Sequence, residues 1–112
     1  MSLQFTITNE AAVTVVRIQG RILSDLDLEP LKEKLDQINS SQFVFDLSEL
    51  TNTNSSGIAF MIRTMTKARI NGGDVVLSNP NPGIQKLIDI SKLYEVFSIY
   101  GTTEEAVNHF NK

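Results

Sequence analysis

The run Phe43-Val44-Phe45-Asp46-Leu47 constrains the fold of this chain more than any other stretch. A strand with one wet face alternates apolar and polar residues, whereas this run is nearly continuous in apolar side chains. It therefore reads as a central strand covered on both faces. The polar stretch that follows, Ser48 to Asn54, reads as a turn, and Ser55-Ser56-Gly57 then opens a helix. In that helix Ile58, Met61, Ile62, Met65 and Ala68 form one apolar stripe, while Arg63, Lys67 and Arg69 fall elsewhere around the cylinder. Asn71-Gly72-Gly73 stops it.

The same reading extends to both sides. Phe5 and Ile7 alternate with polar neighbours, Asn9-Glu10-Ala11 is turn-like, and Val13 to Ile18 resumes a strand, which gives an antiparallel hairpin. After Gly20, the polar run Ser24 to Asp27 caps a helix carrying Leu28, Leu31, Leu35 and Ile38, with Pro30 expected in its first turn, where it sacrifices no intrahelical bond. Asp74 to Ser78 is the next strand, and Asn79-Pro80-Asn81-Pro82 turns into a helix with Pro82 at its first position. A last strand is expected near Val96 to Ile99, and Thr102 with Glu105 has capping-box spacing before a final helix. The order ββαβαβαβα predicts an α/β fold: a mostly parallel sheet of about five strands, an antiparallel N-terminal hairpin strand and four helices.

At 112 residues, with 41% hydrophobic and 21% charged content, the chain is expected to form a single domain over 1–112. A net charge of -3 with scattered basic residues leaves no footprint for nucleic acid or an anionic membrane. No basic leader or long apolar run opens the chain, so a cytoplasmic location without membrane insertion is expected. The absence of Cys and the single His109 exclude disulfides, thiol nucleophiles and the usual zinc sites. Ser55 has no G-x-S-x-G context, and there is no Walker A or G-x-G-x-x-G motif, so neither catalysis nor a cofactor is expected. Asp25, Asp27 and Glu29 read as a solvated helix start favoured by the dipole, in preference to a magnesium site.

In an open α/β sheet, binding occurs beyond the carboxyl ends of the parallel strands. The loops Gly20 to Asp27, Ser48 to Ser55 and Asn79 to Pro82 gather there, with Ile22, Leu23 and Leu26 expected as an apolar contact surface. A serine at the positive end of a helix is either an N-cap or a seat for a phosphoryl group, and one hydroxyl is able to serve as both.

Phe45-Asp46-Leu47-Ser48 with Asn54-Ser55-Ser56-Gly57-Ile58 resembles the signature of STAS domains, the family of bacterial anti-sigma factor antagonists. The likeness extends over nearly the whole chain, including Gly72 to Leu77, the Pro82 helix and Leu93 to Phe97. It implies the STAS fold and a regulatory, non-enzymatic role. It further implies a partner, an anti-sigma factor with serine kinase activity that binds the ATP itself and releases the antagonist once a serine is phosphorylated. Matched to the motif, that serine is Ser55, with Ser56 its competitor. The docking surface would draw on Ile22, Leu23 and Asp25 from one loop, Asn54, Ser55, Ser56 and Gly57 from the second, and Asn81 from the third. The family usually has Asp where this chain has Asn54, and more apolar residues at Asn52 and Thr53. A non-switching STAS interaction subunit of a transporter or sensor complex, and a small-ligand module using the same carboxyl-edge crevice, are the alternative readings.

Overall fold

The computed structural model describes residues 3–111. Its elements are β1 (Leu3–Glu10), β2 (Val13–Arg21), α1 (Asp25–Asp36), β3 (Gln42–Asn52), α2 (Ser55–Ile70), β4 (Asp74–Ser78), α3 (Pro82–Ser91), a 3-10 turn (Leu93–Glu95), β5 (Ile99–Tyr100) and α4 (Thr103–His109). The strands lie in sequence order in one sheet; β1 pairs antiparallel with β2, and every later pairing is parallel. This is the expected α/β architecture.

Alternation along β3 separates two layers. Phe43, Phe45 and Leu47 face a core shared with Leu28 and Leu31 of α1, Phe60, Met61 and Met65 of α2, and Ile84 and Ile88 of α3. Phe45 and Phe60 stack with ring centroids 5.9 Å apart. Val44 faces the other side, where Val13, Val15 and Val76 pack under Ala106 of α4. Covering both faces explains why β3 is apolar without alternation.

The segment Ser48 to Asn52 is strand rather than turn, which corrects the expected loop. A bulge lies between the pairs Arg17↔Asp46 and Gln19↔Glu49, and pairing then resumes at Gly20↔Leu50 and Arg21↔Asn52. The extra residue shifts the phase of the pleat. Leu47 and Leu50 both end up buried with Ser48 and Glu49 exposed between them, a pattern that reads as polar turn when alternation alone is followed. Asp46 holds the bulge, accepting from the Ser48 N–H at 3.0 Å.

Four other boundaries moved for local reasons. The hairpin turns at Ala11 and Ala12, with Ala11 at φ 59°, so that Asn9 and Glu10 stay in β1. The first helix begins at Asp25, which puts Pro30 in its second turn; there the missing N–H deprives the Leu26 carbonyl of its intrahelical partner. The same helix ends at Asp36, leaving Ile38 just outside it. The last strand is Ile99–Tyr100, because Val96 and Phe97 donate back to the Leu93 carbonyl and close a turn where a strand was expected.

The end of α2 is the expected glycine stop, in Schellman form. Gly72 adopts φ 86° and donates to Arg69 O, while Gly73 donates to Ala68 O at 2.8 Å. Gly73 also lies so close to Ser41 that a Cβ there would collide with its carbonyl. The carboxyl end of α2 is thereby pressed against the start of β3.

Candidate functional site

At the carboxyl edge of the sheet, the long β3 reduces the second loop to Thr53 and Asn54. The amide of Asn54 caps α2: its Oδ1 accepts from the N–H groups of Ser56 (3.0 Å) and Gly57 (3.3 Å). Its other end donates from Nδ2 to the Leu23 carbonyl at 2.6 Å, tying the second loop to the first. An Asn just before an apolar-periodic helix was the signal for this cap, and it was available in the sequence.

Because Asn54 carries the cap, neither serine does. Ser55 is the first helical residue; it is exposed, and among the described residues its hydroxyl makes no hydrogen bond. Ser56 follows at the second position and is half-buried. Gly57 is buried where a Cβ would strike Thr53 Oγ1 and press on Ile22, with Cδ1 at 3.1 Å, so the absent side chain lets the first turn of α2 sit directly on both loops.

Ile22 was expected on the surface, and it is core. At 1% exposure it fills the space beneath Gly57, and its N–H donates to Asn52 O at 3.0 Å, prolonging the ladder between the two strands. Leu23 and Leu26 do face outward, 50% and 79% exposed. Asp25 is exposed at the start of α1. Asp27 accepts from the N–H groups of Leu23 (2.8 Å) and Ser24 (3.2 Å), which fixes the helix entry.

In the third loop, Asn81 caps α3 by accepting from Ile84 N at 3.1 Å, and it donates to Leu50 O at 2.6 Å. Its amide is thus committed to joining α3 to the end of β3. Two Asn residues do matching work here: each caps a helix with its oxygen and ties a neighbouring segment with its nitrogen.

On the other face of the sheet lies a polar cluster that the sequence reading did not anticipate. Asp46, 3% exposed, accepts at Oδ2 from Thr103 Oγ1 (3.2 Å) and from Arg17 Nε (3.4 Å). Thr103 in turn accepts from Asn79 Nδ2 at 3.0 Å and is 3.0 Å from the Ser78 hydroxyl. The cluster fixes α4 to the strand ends. A lone Asp in an apolar run and two Thr before a helix were visible in the sequence, but nothing in it paired residues 57 positions apart.

A groove lies at the opposite, amino edge between α1 and α2, lined by residues including Lys32, Leu35, Phe43, Phe60 and Arg63. The carboxyl edge at Ser55 offers an exposed, partly apolar face, with Leu23 and Leu26 beside the Ser55 hydroxyl, suited to contact with another protein.

Comparison with known proteins identifies the family and the fold. The STAS domain model matches residues 4–106. The chain is 24% identical over 110 residues to an anti-sigma F factor antagonist of Paenibacillus polymyxa, covering 96% of this chain and 94% of that protein. Among solved structures it resembles the anti-sigma factor antagonist SpoIIAA in its unphosphorylated form, with a TM-score of 0.79, 22% identity and 96% of each chain covered. It also resembles the Bacillus cell fate determinant SpoIIAA in the phosphorylated form, with a TM-score of 0.73 and 21% identity over 96% of this chain and 99% of that one. An anti-sigma factor antagonist from Mycobacterium paratuberculosis gives a TM-score of 0.80 and 22% identity, covering 99% and 96% of the two chains.

Proposed function

The chain belongs to the STAS domain family, and from that premise we propose that it is an anti-sigma factor antagonist switched by phosphorylation of Ser55. Unmodified, it binds an anti-sigma factor through the face made by Leu23, Asp25, Leu26 and the start of α2. The partner binds ATP and acts as a serine kinase. The γ-phosphoryl group passes to Ser55 Oγ, the hydroxyl proton leaves to a base on the partner, and ADP departs. This chain is the substrate and not the enzyme.

The observation that carries the reading is the freedom of the Ser55 hydroxyl. A serine that capped its helix would lose about 1 kcal/mol of helix stability on being occupied elsewhere. Here Asn54 supplies the cap, so Ser55 is able to react without unmaking α2. A phosphate there would carry about -1.5 to -2 charges at the positive end of a 16-residue helix, an arrangement the fold accommodates. At a docked surface the same group adds bulk and a desolvation cost, enough to remove a few kcal/mol of binding. The exposure of Ser55 against the half-buried Ser56 favours the first serine.

The test uses the purified chain with a purified anti-sigma factor of the same organism. Incubation with Mg-ATP is expected to place one phosphate on Ser55, with none on Ser55→Ala, and Ser55→Asp is expected to bind at least about tenfold more weakly. Equal binding by Ser55→Asp and wild type, with no phosphate acquired, would falsify the proposal. Recovery of a membrane permease in place of a kinase would favour the transporter-subunit reading.

A further inference from the structure

We propose that Asn54 is a two-ended clamp, a positioning residue that holds the Leu23 and Leu26 ridge in one frame with Ser55 and so determines which partner surface meets both together. The role in docking rests on the antagonist reading above; the clamp itself does not.

The connection from β2 to α1 is three residues long, Ile22-Leu23-Ser24. Only Ile22 is anchored by burial. Leu23 projects a half-exposed side chain and Leu26 a nearly free one, so side-chain packing does little to fix this ridge. Side chains from two different helices hold its backbone instead. Asp27 of α1 accepts the Leu23 N–H at 2.8 Å, and Asn54 at the cap of α2 donates to the Leu23 carbonyl at 2.6 Å. The first bond is internal to the α1 entry. The second is the side-chain link that crosses from the ridge to the residue next to Ser55.

A carboxamide suits this place because it is acceptor and donor at once. Its orientation follows from its surroundings: the end facing two N–H groups must be oxygen, and the end facing a carbonyl must be nitrogen. An Asp here would keep the cap, since Asp and Asn are equivalent as N-caps. It would also set a carboxylate oxygen against the Leu23 carbonyl, two acceptors with no proton between them. Asn54→Asp therefore separates capping from clamping, and Asn54→Ala removes both.

Residue-resolved amide exchange on the intact chain reads the clamp without any partner. Asn54→Asp is expected to speed exchange of the Leu23 and Ser24 amides roughly tenfold and to lower the melting temperature by a few degrees, while leaving Ser56 and Gly57 near wild type. Asn54→Ala is expected to speed both sets. Wild-type exchange at Leu23 and Ser24 in Asn54→Asp overturns the clamp, as does a uniform rise across the chain, which would mean that Asn54 merely stabilises the fold. Against the partner of the wild-type protein, Asn54→Asp is expected to weaken binding roughly tenfold. Leu26→Ala should then cost less in the Asn54→Asp background than alone, and independent losses would overturn the positioning role. Failure of the switch would appear in Ser55→Asp and leave the exchange result standing.

Discussion

Replacing Gly57 by Ala tests how closely α2 sits on its two loops. On helix propensity alone the change should stabilise by up to about 1 kcal/mol. The geometry opposes this, because the added methyl would run into Thr53 Oγ1 and crowd Ile22 Cδ1 and Cγ2, at 3.1 and 3.3 Å. Ile22 is buried in the core, so its retreat would displace other packed side chains. Overpacking of this kind costs about 1–3 kcal/mol, so a net loss of about 1–2 kcal/mol is expected. Thr53→Ala removes the oxygen in the way and one weak hydroxyl bond to Asn54 O (3.3 Å), at a cost of under about 1 kcal/mol. The double variant should then recover part of the Gly57→Ala loss, giving a favourable coupling of about 1 kcal/mol. Urea unfolding of the four proteins measures this directly, and a loss of 1 kcal/mol would appear as a melting shift of about 4 °C. A Gly57→Ala variant as stable as wild type, or additive effects of the two substitutions, would refute the argument.

Other substitutions probe separate features. Leu50→Ala should cost about 2–5 kcal/mol in urea unfolding, because Leu50 is fully buried; a value near zero would contradict the extension of β3 past its bulge. Thr103→Val strips Asp46 of a donor and Asn79 of an acceptor, and should cost about 1–3 kcal/mol by the same measurement. Pro30→Ala should raise the melting temperature: restoring a donor to the Leu26 carbonyl gains about 2–3 kcal/mol, offset by up to about 1 kcal/mol from a freer unfolded chain. Leu26→Asp should leave stability within about 0.5 kcal/mol and weaken partner binding, as a titration against the partner would reveal.

Much of this fold was legible because local signals and tertiary needs agree. The Asp74 to Ser78 strand, the Pro82 helix start, the Asn71-Gly72-Gly73 stop and the Thr102 cap lie where residue chemistry put them. What failed depended on partners distant in sequence. A bulge opposite Ile18 cannot be seen from Ser48 and Glu49, so five strand residues looked like a turn. Ile22 follows a polar strand end and looked exposed, yet the missing side chain of Gly57 makes a place for it. Pro30 spares the helix its hydrogen bonds only in a first turn, whereas Ser24 and Asp27 start the helix earlier. At the site, a residue that stood out as a departure from the family proved to be a structural joint: Asn54 uses its nitrogen as well as its oxygen.

The two fastened ends of α2 carry a practical consequence. Asn54 joins its beginning to the first loop, and the Gly72-Gly73 closure presses its end onto Ser41. Such a helix is a fixed post, so a charge added at Ser55 would alter the electrical potential of the face more than its shape. Superposition of the two forms would then be a poor detector of the switch, and ionic strength a good one. Potentials at a wet surface fade over about 8 Å at physiological salt, so discrimination between the forms should shrink as salt is added.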